Sequence, residues 1–122
     1  MNAQELRFAA LRETGIVAHD EVPPAELDTF TADRYIGLHG QLMEDGIASW
    51  AIGEDIPSPV QQAMIWALAF VIAGPLGADA ENVQRLSALG GYGQVQPSMA
   101  ERLLRRYAAD KYVSQPATPD YF

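Results

Sequence analysis

Residues that could carry out catalysis are few, and their spacing does not bring them together. His19 and His39 are the only histidines, and they lack the HxxxH or HExxH spacing of zinc ligands. The chain has no cysteine, which excludes disulfides and thiolate chemistry and is typical of a protein from a reducing compartment. No GxSxG motif places a serine for nucleophilic attack. The sequence therefore predicts no metal site and no cofactor.

Paired carboxylates are the remaining candidates for chemistry. They occur at Glu44 with Asp45 and at Glu54 with Asp55. Two carboxyl groups held at the right separation hydrolyse a glycosidic bond, but adjacent residues cannot supply that geometry, which leaves Glu44 with Glu54 as the conceivable pair. Both stand beside glycine turns, where acids usually serve solvation. The pattern favours a protein that is not an enzyme, with a carboxylate-pair peptidoglycan hydrolase as an alternative.

The net charge of -8 is unevenly distributed along the chain. Residues 20–55 hold nine acids and a single base, Arg34, whereas acids and bases balance elsewhere. This excess disfavours free nucleic-acid binding, which relies on clustered Lys and Arg. Arg102, Arg105 and Arg106 form a locally basic segment, and the two charged regions would suit side-by-side contacts between identical copies. Solvated surface is the simpler explanation of both.

Helix signals recur along the chain. Asn2 can cap a helix that runs to about Thr14. A second helix has Leu27, Thr31, Tyr35, Leu38 and Leu42 on one face, and we expect it to end at Asp45 because Gly46 can adopt the left-handed conformation. Its internal Gly37 and Gly40 suggest close packing against another backbone. Residues 46–59 are expected to form a connection with some extended character or a short hairpin.

The strongest helix start lies at Ser58, with Pro59 at the first helical position and Gln61 completing a capping box. The apolar run at 63–73 that follows is too short to span a membrane and is expected to be the central core helix. Asp79 and Ser98 can cap two further helices, separated by the glycine-rich loop GGYG, which lacks the lysine of a phosphate-binding loop.

These elements predict an all-α single domain of four to five helices around a central apolar helix, with an extended C-terminal tail. The helical domain spans 1–112 and the tail spans 113–122. The amino-terminal segment has acidic residues and no apolar stretch, which is not typical of a signal peptide, so a cytoplasmic location is expected.

Four segments, in this order, resemble the head completion and adaptor proteins of tailed bacteriophages, also called packaged-DNA stabilisation proteins or tail accessory factors. They are RFAALRETGI at 7–16, LMEDGI at 42–47, SPVQQAMIWALAFVIAGPLG at 58–77 and RLLRRY at 102–107. The family has an opening helix, a helix ending in DGI, a mostly apolar helix that begins soon after a short acidic loop, and one or two amphipathic helices. The agreement in order and spacing covers about residues 6–112.

The resemblance implies a virion subunit at the head-tail interface, present in the host cytoplasm during assembly. It would form a ring of twelve copies under the portal protein, extend and seal the DNA channel, and connect to a downstream neck or tail protein. Packaged double-stranded DNA would pass through without tight binding, and no membrane is involved. Glu44, Asp45, Glu54 and Asp55 are then candidates for an acidic channel lining that repels phosphate, and Arg102, Arg105 and Arg106 for an inter-subunit face.

The C-terminal tail is a candidate docking peptide. Prolines hold the chain extended, and terminal aromatics offer the burial that dominates interface hot spots; the candidate residues are Tyr112, Val113, Pro116, Pro119, Asp120, Tyr121 and Phe122. A frayed terminus is the alternative. A small helical regulatory or DNA-binding module is the main rival for the function of the whole chain.

Overall fold

A computed structural model describes residues 1–113, with side chains described to residue 110. In this part of the chain there are five α-helices and no strand, as the sequence predicts. The bounds are α1 Ala3–Glu13, α2 Ala25–Glu44, α3 Gln61–Ala73, α4 Ala80–Gly90 and α5 Met99–Val113, with a 3-10 turn at Ser58–Val60 before α3.

The core is built around α3. Helices α1, α2, α4 and α5 all pack against it, and it is apolar on nearly every side because the sequence gives it no charged residue. Its buried side chains meet buried leucines from the surrounding helices: Leu6, Leu11, Leu42, Leu86 and Leu104. The predicted central apolar helix is confirmed.

Several predicted helix ends are confirmed in atomic detail. The side chain of Asn2 accepts the N–H of Glu5 at 2.8 Å, and the Glu5 carboxylate accepts the N–H of Asn2 at 2.9 Å. Asp79 caps α4 through the N–H of Asn82. Gly46, at φ +74°, closes α2 after Asp45. Each of these signals acts within one helical turn, which is why the sequence predicts them.

The predicted capping box at Ser58 and Gln61 is wrong. Ser58 makes no side-chain cap; it starts the 3-10 turn, and Gln61 instead donates its Nε2 to the carbonyl of Ile56 at 3.3 Å. Burial explains the difference, because Ile56 and Val60 are both buried and the N–H of Ile56 bonds to the carbonyl of Met1 at 2.8 Å. These tertiary contacts hold the backbone in a conformation in which the Ser58 cap does not form.

Three other expectations are corrected. Residues 46–59 form no hairpin, since the described chain contains no strand. At Ser98 the hydroxyl caps the N–H of Glu101, but the Glu101 carboxylate accepts the N–H of Gly93 instead of completing the box. Helix α5 runs through Val113, so Tyr112 and Val113 belong to a helix and not to an extended tail. The other tail residues, 114–122, lie outside the described residues.

Glycine packing also differs from the expectation. Gly37 and Gly40 are exposed, and a methyl group at either position would meet no atom within 4 Å. The close approach is at Gly90, where a Cβ would lie 2.0 Å from the carbonyl oxygen of Trp66 in α3. The last turn of α4 therefore touches the backbone of α3 directly.

We expect Gly90→Ala to lower the free energy of unfolding by about 1 to 3 kcal/mol or more, because the added methyl must push α4 away from α3. The matched control, Gly37→Ala, adds the same methyl on an exposed helix surface and should be neutral or raise stability by up to about 1 kcal/mol. Urea unfolding followed by circular dichroism measures both. Equal effects of the two substitutions would contradict the close contact.

Candidate functional site

The four acids expected to line a channel are all exposed, but they do not form one cluster of equivalent groups. Asp45 accepts the hydroxyl of Tyr92. Glu54 accepts the N–H of Ala51 at 2.6 Å and so closes its own turn. Glu44 and Asp55 make no hydrogen bond with the described side chains. Of the conceivable hydrolytic pair of Glu44 and Glu54, Glu54 thus has one carboxylate oxygen engaged in its own turn.

Asp45 instead belongs to a polar cluster that joins α2, the loop after α4, and α5. Arg105 donates its Nε to Glu101 at 3.0 Å, and its guanidinium lies 5.7 Å from the centre of the Tyr92 ring. Burial raises the pKa of the Tyr92 hydroxyl well above its usual range, and the hydrogen bond to Asp45 adds to this shift. The hydrogen bond to Glu101 raises the pKa of Arg105 above its ordinary value.

This cluster divides the three arginines predicted to form an inter-subunit face. Arg105 turns toward Glu101 and Tyr92 within its own molecule, and it borders a small depression together with Asp45. Arg102 and Arg106 are exposed and form no ion pair with any described residue. The sequence analysis did not separate them, although Glu101 stands four residues before Arg105, a spacing that favours an ion pair on a helix.

Met99, Arg102 and Arg106 form what we call the α5 face. The three residues follow one another at spacings of three and four, so they share one side of the helix. Met99 is 42 % exposed, and both arginines point away from the core residues Ala100 and Leu104. The α5 face is thus basic, with one flexible apolar side chain at its start.

An apolar surface on α2, which the sequence analysis missed, is the second exposed feature. Ile36 is 60 % exposed, Met43 57 % and Ile52 42 %. Together with Gly40 and Ala51 they line a shallow depression that we call the α2 patch. Its sequence signal is the spacing of residues 36, 40 and 43, which places them on one helix side, opposite the core face that contains Leu38 and Leu42.

The two histidines have no catalytic setting. His19 is exposed in the loop before α2. His39 is buried and donates Nε2–H to the carbonyl of Trp50 at 2.7 Å, while the Trp50 indole donates to the Tyr35 hydroxyl at 3.0 Å. Burial raises the pKa of Tyr35. This network fixes the loop of residues 46–57 on α2, and with it one edge of the α2 patch.

A cavity of about 570 Å³ lies between α2 and α3 and is open to solvent. Leu38, Phe70, Val71 and Tyr92 contribute to its wall. Arg34, at its border, lies 4.9 Å from the centre of the Phe30 ring. The Asp33 side chain also lines this cavity, and the Tyr92 hydroxyl donates to Asp45.

Among residues 1–113, no group of three or more His, Asp or Glu side chains is arranged to hold a metal ion. No helix in the same part of the chain is long and apolar enough to cross a membrane.

Comparisons of the chain with protein-family models, with curated proteins and with solved structures found no match.

The arginines on α5 should differ in their effect on stability. Arg105→Ala leaves the buried Glu101 carboxylate without its arginine, and we expect a loss of about 1 to 2 kcal/mol in the free energy of unfolding. Arg102→Ala, the matched control one turn away, should change the free energy of unfolding by less than about 0.5 kcal/mol. Thermal and urea unfolding at low and high salt measure the effects. A larger loss at Arg102 than at Arg105 would contradict the cluster.

Proposed function

We propose that the protein is a head-to-tail adaptor of a tailed bacteriophage, a structural subunit that forms a ring beneath the portal protein. The order of the four family-like segments carries this proposal. In the fold they correspond to α1 with its closing turn, the end of α2, the 3-10 turn with α3, and the middle of α5. All four of these elements contact α3 or contain it, so the resemblance falls on the parts that build the helical body.

Assembly is the mechanism in this proposal. A ring of twelve copies extends the DNA channel, seals it after packaging and offers a platform for a downstream neck or tail protein. The acidic excess in residues 20–55 disfavours retention of the phosphate backbone, so DNA passes without tight binding. Of the four acids considered for the channel wall, we keep Glu54 and Asp55. Glu54 is hydrogen-bonded only within its own turn, whereas Asp45 is bonded to Tyr92 of another element and Glu44 directly follows Met43 of the α2 patch.

The rival functions have less support from the described residues. A DNA-binding module needs clustered cations, yet Arg105 is paired with Glu101 and Arg85 with Glu13. A carboxylate-pair hydrolase needs two facing carboxyl groups, and Glu54 is hydrogen-bonded within its own turn.

Electron microscopy of the protein mixed with a portal ring tests the proposal. We expect added ring-shaped density on one face of the portal, because an adaptor must follow the symmetry of the ring it extends. Portal alone is the control. Absence of density at saturating protein would contradict the adaptor function. Retention of nonspecific DNA in a low-salt gel shift would favour the DNA-binding rival, and clearing of a peptidoglycan suspension would favour the hydrolase.

Residues 114–122 are proposed as the segment that docks on the portal. A chain ending at Val113 keeps every core residue described above, so we expect it to fold with unchanged thermal stability while losing most of its binding to the portal, since aromatic anchors dominate interface energy. Co-sedimentation with portal rings measures binding. As a control, the double substitution Tyr121→Ala and Phe122→Ala should reproduce most of the loss. Full binding by the shortened chain would contradict a docking role.

A further inference from the structure

We propose that the α2 patch of one copy packs on the α5 face of the next, and that this head-to-tail contact holds the ring together. The inference rests on the proposed adaptor function and names the two surfaces through which its copies meet.

The α2 patch has the character of a surface that is covered in an assembly. Ile36, Met43 and Ile52 are all at least 42 % exposed and line one depression, whereas isolated exposed apolar residues need no explanation. Gly40 at its centre has open space above its backbone. A partner side chain can therefore approach the α2 backbone closely at this point.

The charges beside the α2 patch are opposite to those on the α5 face. Exposed acids border the patch along α2, Asp33 one turn before Ile36 and Glu44 directly after Met43. The α5 face offers the opposite charge at Arg102 and Arg106, neither of which has an ion-pair partner among residues 1–110. Met99 on the same face supplies an unbranched apolar side chain, a type that adapts to irregular surfaces. Complementary charge around an apolar centre is the usual composition of a specific interface.

The same charges argue against a contact between two α2 patches. Such a symmetric contact would set Asp33 and Glu44 of one copy against the same acids of the other, in a molecule whose net charge is already -8. Like charges facing each other across an interface disfavour the pairing. A contact between two different surfaces avoids this repulsion, and repeated contacts of that kind close into a ring when the rotation allows.

The fold leaves both surfaces available to different neighbours. Helices α2 and α5 each pack on α3 and do not pack on each other. One copy can thus use its α2 patch toward one neighbour and its α5 face toward another. Glu44 is thereby assigned to the contact between copies and not to the channel wall.

Charge reversal tests the contact. Reversing the α5 face (Arg102→Glu with Arg106→Glu) or the rim of the α2 patch (Asp33→Lys with Glu44→Lys) should each weaken self-association at least about tenfold, because like charges then meet. Combining all four substitutions in one chain restores opposite charges and should recover most of the affinity. Sedimentation velocity over a range of concentrations measures the effect, and Glu81→Lys, an exposed reversal on α4, is the control that should change little.

Cysteine pairing gives an independent readout, since the chain has no cysteine of its own. Met43→Cys and Met99→Cys are prepared as separate proteins, one carrying a mass tag, and oxidised alone and as a mixture. The mixed disulfide should exceed both homodimers. An excess of the Met43→Cys homodimer would overturn the proposal in favour of a symmetric contact.

Other outcomes also overturn the proposed contact. A wild-type protein that stays monomeric up to about 1 mM lacks a specific interface of this kind. If the fourfold variant does not recover affinity, the proposed charge pairing is excluded. If self-association is weakened only by removal of residues 114–122, that segment is the occupant of the α2 patch. If the protein does not bind the portal but the fourfold variant still recovers self-association, the adaptor function is refuted and the proposed contact is retained. If the charge-reversed variants still form rings on the portal, the contact is refuted and the adaptor function is retained.

Discussion

Burial of α3 is the constraint on which the rest of the structure depends. This helix has no charged residue and is apolar on nearly all sides, so it gains stability only when other helices remove its surface from water. Four helices do so, and the tightest approach is the contact of Gly90 with the α3 backbone at Trp66. The number of elements and their arrangement around one centre follow from this requirement.

Helices α2 and α5 both pack on α3, so the outer side of each forms part of the molecular surface. Each helix turns its leucines inward and leaves an outer side uncovered, apolar on α2 and basic on α5. Between them, the cluster of Asp45, Tyr92 and Arg105 links the end of α2 to α5. One of the three arginines is thus paired within the molecule, and the other two are exposed.

The proposed adaptor function and the proposed contact have a common physical basis. A subunit that works by assembly needs a stable body and two different surfaces that fit each other, and it needs no catalytic group. The acidic surface that would repel DNA also disfavours contacts between like surfaces of two copies. Charge would therefore act both on the nucleic acid and on the geometry of the ring.

The amino-acid sequence alone predicts the helical class, the central helix and the helix ends that use short-range signals, such as the caps at Asn2 and Asp79 and the turn at Gly46. These signals act within one turn, so neighbouring residues are sufficient to predict them.

Tertiary contacts show that Gly90, and not Gly37 or Gly40, is the close-packed glycine, and that Arg105 lies against the Tyr92 ring. The α2 patch was likewise visible only once the core face of α2 was fixed against α3. The deciding contacts of Gly90 with Trp66 and of α2 with α3 join residues far apart in the chain, and local propensity carries no information about such contacts.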